Sequence, residues 1–228
     1  MKRLIIIAEG LTELEFINRL LIPYLVKRGL NTHIQGIPVE MSGGGHGFNN
    51  IEHFKNTIRP LLSQTDTPII TSMIDHYGIN SETKLPGYNE CILEHDVEDR
   101  IALMESKLND AVQSITQYRF FIPYIQRHEM ETLLFADPEN GFALEDDRIK
   151  LDIIALCAGF KSIEDINCTP QGAPSKRLEK IYRERNGKYV KGVDAVDLAE
   201  LTGIHNILEK CPRFKAWVEK LIVSASAA

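Results

Sequence analysis

The stretch RLIIIAEGLTELEF, residues 3–16, changes its period in the middle. Leu4–Ala8 is a continuous apolar run, the pattern of a strand buried on both faces. From Thr12 onward the apolar residues fall at helical spacing: Leu14, Ile17, Leu21 and Leu25, joined by Phe16, Leu20 and Tyr24. Thr12 is the expected N-cap, and Lys27-Arg28-Gly29 the stop. Pro23 falls inside the pattern and is expected to kink or divide the helix. A buried strand feeding a helix is the opening unit of an α/β fold, and two acids, Glu9 and Glu13, stand at the junction.

Outward from this unit the alternation repeats. Residues 33–41 read as a second strand, followed by the glycine-rich loop SGGGHGFNN. Ile51–Leu62 reads as a helix broken near Pro60, and TPIITSMID, residues 67–75, as an apolar strand ending in an acid. A polar loop leads to a helix over residues 97–115 with Ile101, Met104, Leu108 and Val112 on one face. RFFIPYI, residues 119–125, reads as a strand, and residues 128–135 as the start of a helix. Strands alternating with helices predict a Rossmann-like, mostly parallel sheet covered on both faces. Past Pro138 the strand signals stop, and no disordered linker intervenes. The expectation is an α/β domain over residues 1–140 and a helical C-terminal region over residues 141–228 packed on it.

The 228 residues allow one domain, or one with a small appendage. No apolar run approaches the roughly 18–20 residues of a membrane span. The first apolar run is also shorter than the about 7–15 residues of a secretory signal, so a cytoplasmic protein without membrane contact is expected. Cys91, Cys157, Cys168 and Cys211 show neither C-x-x-C spacing nor paired histidines, which favours buried reduced thiols over zinc or disulfides. A net charge of -6 argues against a whole-surface grip on nucleic acid. It leaves open an enzyme that handles phosphates through a divalent ion, because the ion supplies the local positive charge.

In parallel α/β sheets, ligands bind at the carboxyl ends of the strands, near a topological switch point. Glu9 follows the first strand, Glu13 lies in the first turn of the helix, and Asp75 ends a later strand. Glu129 and Glu131 follow the strand over residues 119–125; one is expected as a ligand and the other as a solvated face. Carboxylates at that density repel one another unless neutralised. A hard cation resolves this, and oxygen-only ligands select Mg²⁺ or Mn²⁺ over zinc. Acids in a first helical turn are favoured anyway, by roughly 0.3–1 kcal/mol each, so Glu13 also has a local explanation. Gly10 suits a tight turn beside a phosphate or ion.

Other motifs have two readings each. SGGGHG could cradle a phosphate with backbone N–H groups, with His46 at a scissile phosphate, or be a bare exposed loop. In APSKRL, Ser175 is placed as an N-cap with Lys176 and Arg177 in the first turn, where cations oppose the helix dipole. Phosphate contact by that pair competes with a solvated basic face. His128 is either functional or a satisfied core histidine, and Trp217 in RFKAW reads as packing rather than base stacking.

EGLTE, followed far downstream by a strand ending in Asp75, resembles the TOPRIM fold of topoisomerases, primases and OLD-type nucleases. EGLTELEFINRLLIPYL, SMIDHYG, RFFIPYIQRHEMETLLFADPE, APSKRL and CPRFKAWVEKL together resemble a TOPRIM-related bacterial family catalogued only as a domain of unknown function. The resemblance implies a Mg²⁺-dependent phosphodiester hydrolase, a nuclease, in a phage-defence or toxin-like setting with a partner ATPase. It implies Glu9 as metal ligand or acid–base, Glu13 as the second glutamate of the OLD-type pattern, and Asp75 as the first aspartate of D-x-D. Glu9, Asp75, Glu129 and Glu131 become the metal candidates, and Gly10, His46, His128, Lys176 and Arg177 the phosphate candidates. The chain departs from the pattern at Tyr77, which stands where the second aspartate falls; His128 or Glu131 are the expected substitutes. Two alternatives stand beside the nuclease: a catalytically degraded scaffold serving as a regulatory or binding subunit, and a phosphatase-like enzyme acting on a small nucleotide. A homodimer is compatible with either assignment.

Overall fold

A computed structural model describes residues 2–41, 43–166 and 172–227, so Ser42 and Cys168 of the motifs above lie outside the described residues. β1 (Leu4–Ala8) is buried along its whole length. It feeds a helix that begins as α1 (Leu11–Phe16) and ends as α2 (Ile22–Lys27). Between them, Ile17–Leu21 widens to π spacing, with the Ile22 N–H reaching the Ile17 carbonyl. Pro23 has no N–H to give an α-helical bond, and the wider turn absorbs the defect, so the helix runs on instead of dividing.

β2 (Ile34–Pro38) is shorter than the strand expected over residues 33–41, and α3 (Ile51–Leu62) continues through Pro60, which falls in its last turn. β3 (Ile69–Asp75) is buried throughout. The short α4 (Tyr88–Cys91) and the long α5 (Val97–Gln113) follow. RFFIPYI is not one strand but two, β4 (Phe121–Ile122) and β5 (Ile125–Gln126). Pro123 cannot donate to the ladder, and β3 side chains bridge the break. Thr71 Oγ1 donates to the Ile122 carbonyl (2.6 Å), while Ser72 Oγ receives the Tyr124 N–H (2.9 Å). Residues 128–135 do not open an α-helix: Met130–Ala136 is a 3₁₀ segment buried at every position. A segment enclosed on all sides takes its shape from its neighbours rather than from an amphipathic period.

The remaining elements are helical: α6 (Pro138–Gly141), α7 (Asp147–Ala158), α8 (Pro174–Glu184), α9 (Asp194–Thr202), α10 (Ile204–Lys210) and α11 (Pro212–Ala227). The strands form one parallel sheet, β2-β1-β3-β4, with β5 extending the β3 ladder beyond the proline. Side chains alternate between its faces. Leu4, Ile6, Ala8, Ile69 and Met73 pack with α1, α2 and the C-terminal helices, whose Ala195, Leu198, Phe214, Trp217 and Leu221 join the same core. Ile7, Ile70 and Ile74 pack on α3 and α5. Each such fully buried side chain is worth about 1.5–3 kcal/mol, so the helices beyond residue 140 are held by the sheet itself. Trp217 packs as expected, stacked on Tyr124 at 4.2 Å with its Nε1–H donated to Thr71 Oγ1. Among the described residues, no helix is long and apolar enough to cross a membrane.

Candidate active site

The chain leaves β1 toward β2 on one side and returns across β1 to β3 on the other. The switch point therefore lies between the carboxyl ends of β1 and β3. Ala8 pairs with Met73, the Glu9 N–H donates to the Met73 carbonyl (2.9 Å), and β3 runs on to Asp75. Asp75 then donates its own N–H to Glu9 Oε2 (2.7 Å). The Glu9 carboxylate lies so close to Gly78 that an added Cβ there would stand 2.7 Å from Glu9 Oε1 and would have to displace the carboxylate.

Gly10, not Thr12, caps α1, and its N–H donates to Glu13 Oε2 (2.9 Å). Glu13 thus folds back over the first turn and satisfies one of its orphan donors. Gly10 itself is extended at φ -146°, which any residue adopts, so no tight turn requires it. Its N–H is spent on Glu13 rather than presented to a phosphate.

The far side of the site comes from the turn after β5. Glu129 Oε2 accepts the Ser175 N–H (3.0 Å) and Glu129 Oε1 accepts from Lys191 Nζ (2.8 Å). Glu131 Oε2 lies 3.8 Å from the same ammonium, and Tyr189 donates its hydroxyl to Glu131 Oε1 (3.3 Å). Glu129 is 8% exposed and Glu131 1%, so neither is a solvated face. Ser175 is not the N-cap of α8; Ala173 is, and Ser175 supplies a first-turn N–H for which Glu129 is the acceptor.

These groups share one electrostatic field. Burial raises the Asp75 carboxyl well above its usual range, and Glu13, Glu9 and Glu131 raise it further. Burial and then Glu13 raise Glu9, and burial likewise raises Glu13. Glu131 is pushed up to about 7 by burial, against the pull of Lys191. Glu129 goes the other way. Burial alone would raise it, but Lys191 and Ser175 bring it below the carboxylate range. Burial would lower Lys191, yet Glu131, Glu129 and Asp75 raise it. Asp75 Oδ1 is buried without a hydrogen-bond partner, a state that costs about 1–3 kcal/mol if nothing else fills it.

Residues 8–222 match the family described as a domain of unknown function, DUF4276. The chain belongs to that family. No curated protein and no solved structure matches it.

In this DUF4276 chain the donors fit a hard divalent cation in kind: oxygen only, like charges crowded together, and one buried Asp75 oxygen unpaired. They are not assembled as a ready ligand set. Among the described residues, no three His, Cys, Asp or Glu side chains stand grouped around a common ion position. Glu9 is turned to the Asp75 N–H, Glu13 to Gly10, and Glu129 to the Lys191 ammonium, which occupies the cationic place among the acids.

Two of the other phosphate candidates, Lys176 and Arg177, have partners of their own. Exposed His46 forms a backbone bridge with Glu40. Lys176 pairs with Glu179 (2.8 Å), and Arg177 donates to the Gly172 carbonyl (2.8 Å) while lying over Phe160. His128 directs Nε2 to the Glu164 carbonyl (3.0 Å). Tyr77, at that position, donates its N–H to the His128 carbonyl (3.1 Å). Sequence reasoning missed Lys191, Tyr189 and Lys84, whose Nζ donates to the Gly78 carbonyl (2.7 Å). The one signal for Lys191 is its setting, NGKYVKG: Asn186 and Gly192 both adopt positive φ and fold the segment back toward α1. A cavity of about 690 Å³ beside Lys2, Tyr118, Arg119 and Phe120 lies at the opposite, amino end of the strands.

Proposed function

We propose that this chain is a Mg²⁺- or Mn²⁺-dependent phosphodiester hydrolase acting on nucleic acid. One observation carries the reading: Glu9, Glu13, Asp75, Glu129 and Glu131 gather at the switch point of a parallel sheet, with burial holding four of them above the carboxylate range. A fold has no structural need for mutually repelling acids at strand ends, and a divalent ion is the natural neutraliser. Glu9, Asp75 and Glu131 are the ligands in this assignment. When bound, the ion polarises a phosphoryl oxygen and lowers the pKa of a coordinated water.

The chain's own residues supply the rest. Glu13, whose proton affinity is raised by burial, accepts a proton from water. Glu129 is held ionised by Lys191 and the Ser175 N–H and keeps the ammonium at the rim, where it can meet a phosphate. Glu13, tied to Gly10, fixes the first turn against which Glu9 is set. The defence setting and the partner ATPase rest on the TOPRIM resemblance alone.

The test is calorimetric titration of Mg²⁺ and Mn²⁺ into the wild-type chain, Glu9→Gln and Asp75→Asn. Binding by the wild type that both folded variants lose supports the hydrolase. Absence of wild-type binding, or binding indifferent to both changes, favours the second reading, a regulatory scaffold. That alternative has its own observation: Tyr77 occupies the second position of D-x-D, and its ring stacks on His76 and His128.

A further inference from the structure

Immediately beside the acids lies a cavity of about 260 Å³ lined by His76, Tyr77, Asn80, Tyr88, Arg100 and His128, among others. It shares two backbone junctions with the acid cluster, because His76 follows Asp75 and His128 precedes Glu129. Three rings form one wall. Tyr77 stacks on His76 with centroids 5.2 Å apart and on His128 at 5.3 Å, each pair inclined by 26°. His128 takes a left-handed backbone, φ 63°, which non-glycine residues rarely adopt, and holds it against the Tyr77 N–H.

As core packing this wall is incomplete. His76 is 5% exposed and His128 1%, yet Nδ1 of each is buried with no hydrogen-bond partner. Two histidines with unpartnered ring nitrogens and a tyrosine make this side of the cavity polar and aromatic rather than purely apolar. The cavity is smaller than the about 300–1,000 Å³ of sites for drug-sized molecules, so it takes one ring system rather than a whole nucleotide. Aromatic rings offer a stacking face that accepts any planar heterocycle.

We propose that this cavity binds a nucleobase of the substrate, next to the phosphodiester presented to the acids. The proposal rests on the hydrolase reading for its substrate class. A nucleobase suits this lining: a planar heterocycle to lie among Tyr77, Tyr88 and the two imidazoles, polar edge atoms, and attachment through one sugar to a phosphate. Asn80 and Arg100 at the mouth supply amide and guanidinium groups to the base edge or sugar. Arg100 already donates through Nε and Nη2 to the Glu94 carbonyl, which fixes its guanidinium in place.

The experiment is calorimetric titration of adenosine and cytidine 5′-monophosphates, and of ribose 5-phosphate as the base-free control, into the full chain in EDTA. It is repeated with Tyr77→Leu, Tyr88→Ala and Asn80→Ala, each checked by circular dichroism. The expected result is that a nucleotide binds at least tenfold more tightly than ribose 5-phosphate and loses about tenfold or more in Tyr77→Leu. If Tyr77→Leu does not fold, the exposed Asn80→Ala change and Tyr88→Ala carry the same comparison. Equal affinity for ribose 5-phosphate, no nucleotide binding, or unchanged affinity in every folded variant overturns the pocket. A parallel Mg²⁺ titration of the wild-type chain reads the acid cluster independently, so either idea can fail while the other stands.

Discussion

Two groups of acids flank the edge of the sheet at β5, and they are satisfied in opposite ways. On the α11 side, Arg213 pairs with Glu98 and Glu105, and Glu164 accepts the N–H groups of Arg213 and Phe214 at the start of the helix. Burial raises Glu105 and Glu164 too, but the next influences on them are Arg213 and its backbone, which pull them back down. At Asp75 the next influences are Glu13, Glu9 and Glu131, which push it further up. The first group is closed: each acid has a donor, and α11 is tied to α5. The second is open, with several acids around Lys191 and one Asp75 oxygen unpaired. The closed group pairs its acids with a cation of its own, whereas the open group sets several acids around one ammonium.

Breaking the closed group has the largest expected effect. Arg213 is mostly buried, so Arg213→Ala leaves Glu105 without its cation and is expected to cost about 3–5 kcal/mol in urea unfolding. A loss under about 1 kcal/mol would mean that this network is no more structural than the rim.

The open group has a pH signature of its own. Glu131 is raised to about 7, so the folded chain keeps a proton that the unfolded chain has released. That stability is fully present below the ordinary carboxylate range and is lost as pH rises through about 7. In metal-free buffer the urea midpoint of the wild type is expected to fall between about pH 5 and 8. Glu131→Gln cannot ionise, and at pH 8 it should exceed the wild type by about 2–3 kcal/mol, with the gap closing toward pH 5. A variant that tracks the wild type across that window would show that Glu131 does not carry the strain of the rim.

The smallest effect separates both groups from ordinary surface charge. Lys176 pairs with Glu179 on the exposed side of α8, and Lys176→Ala is expected to change stability by less than about 0.5 kcal/mol. A tenfold fall in affinity for a phosphorylated ligand in that variant would return Lys176 to the site.

Much of this contrast was legible at the first strand. The switch from β1 to helix put Glu9 and Glu13 at a junction, and the run over residues 67–75 put Asp75 at another. Pairing of Ala8 with Met73 makes the two junctions neighbours. Glu129 and Glu131 were found as candidates but not oriented. Both turn inward because Lys191 and the start of α8, far along the chain, meet them there. The RFFIPYI run looked like one strand because apolar content does not reveal a missing N–H; Thr71 and Ser72 repair the gap from the neighbouring strand.

Alone, the sequence determined the parallel α/β plan, the helical C-terminal part and the strand ends that carry acids. Burial of apolar faces is written in local periodicity, which a single chain displays openly. Tertiary structure alone decided which acids share a field, that Lys191 enters it, that Arg213 closes the other group, and that His76, Tyr77 and His128 wall a cavity. Those outcomes depend on polar side chains meeting across long sequence separations, where distance and desolvation act and no repeating pattern marks the partners.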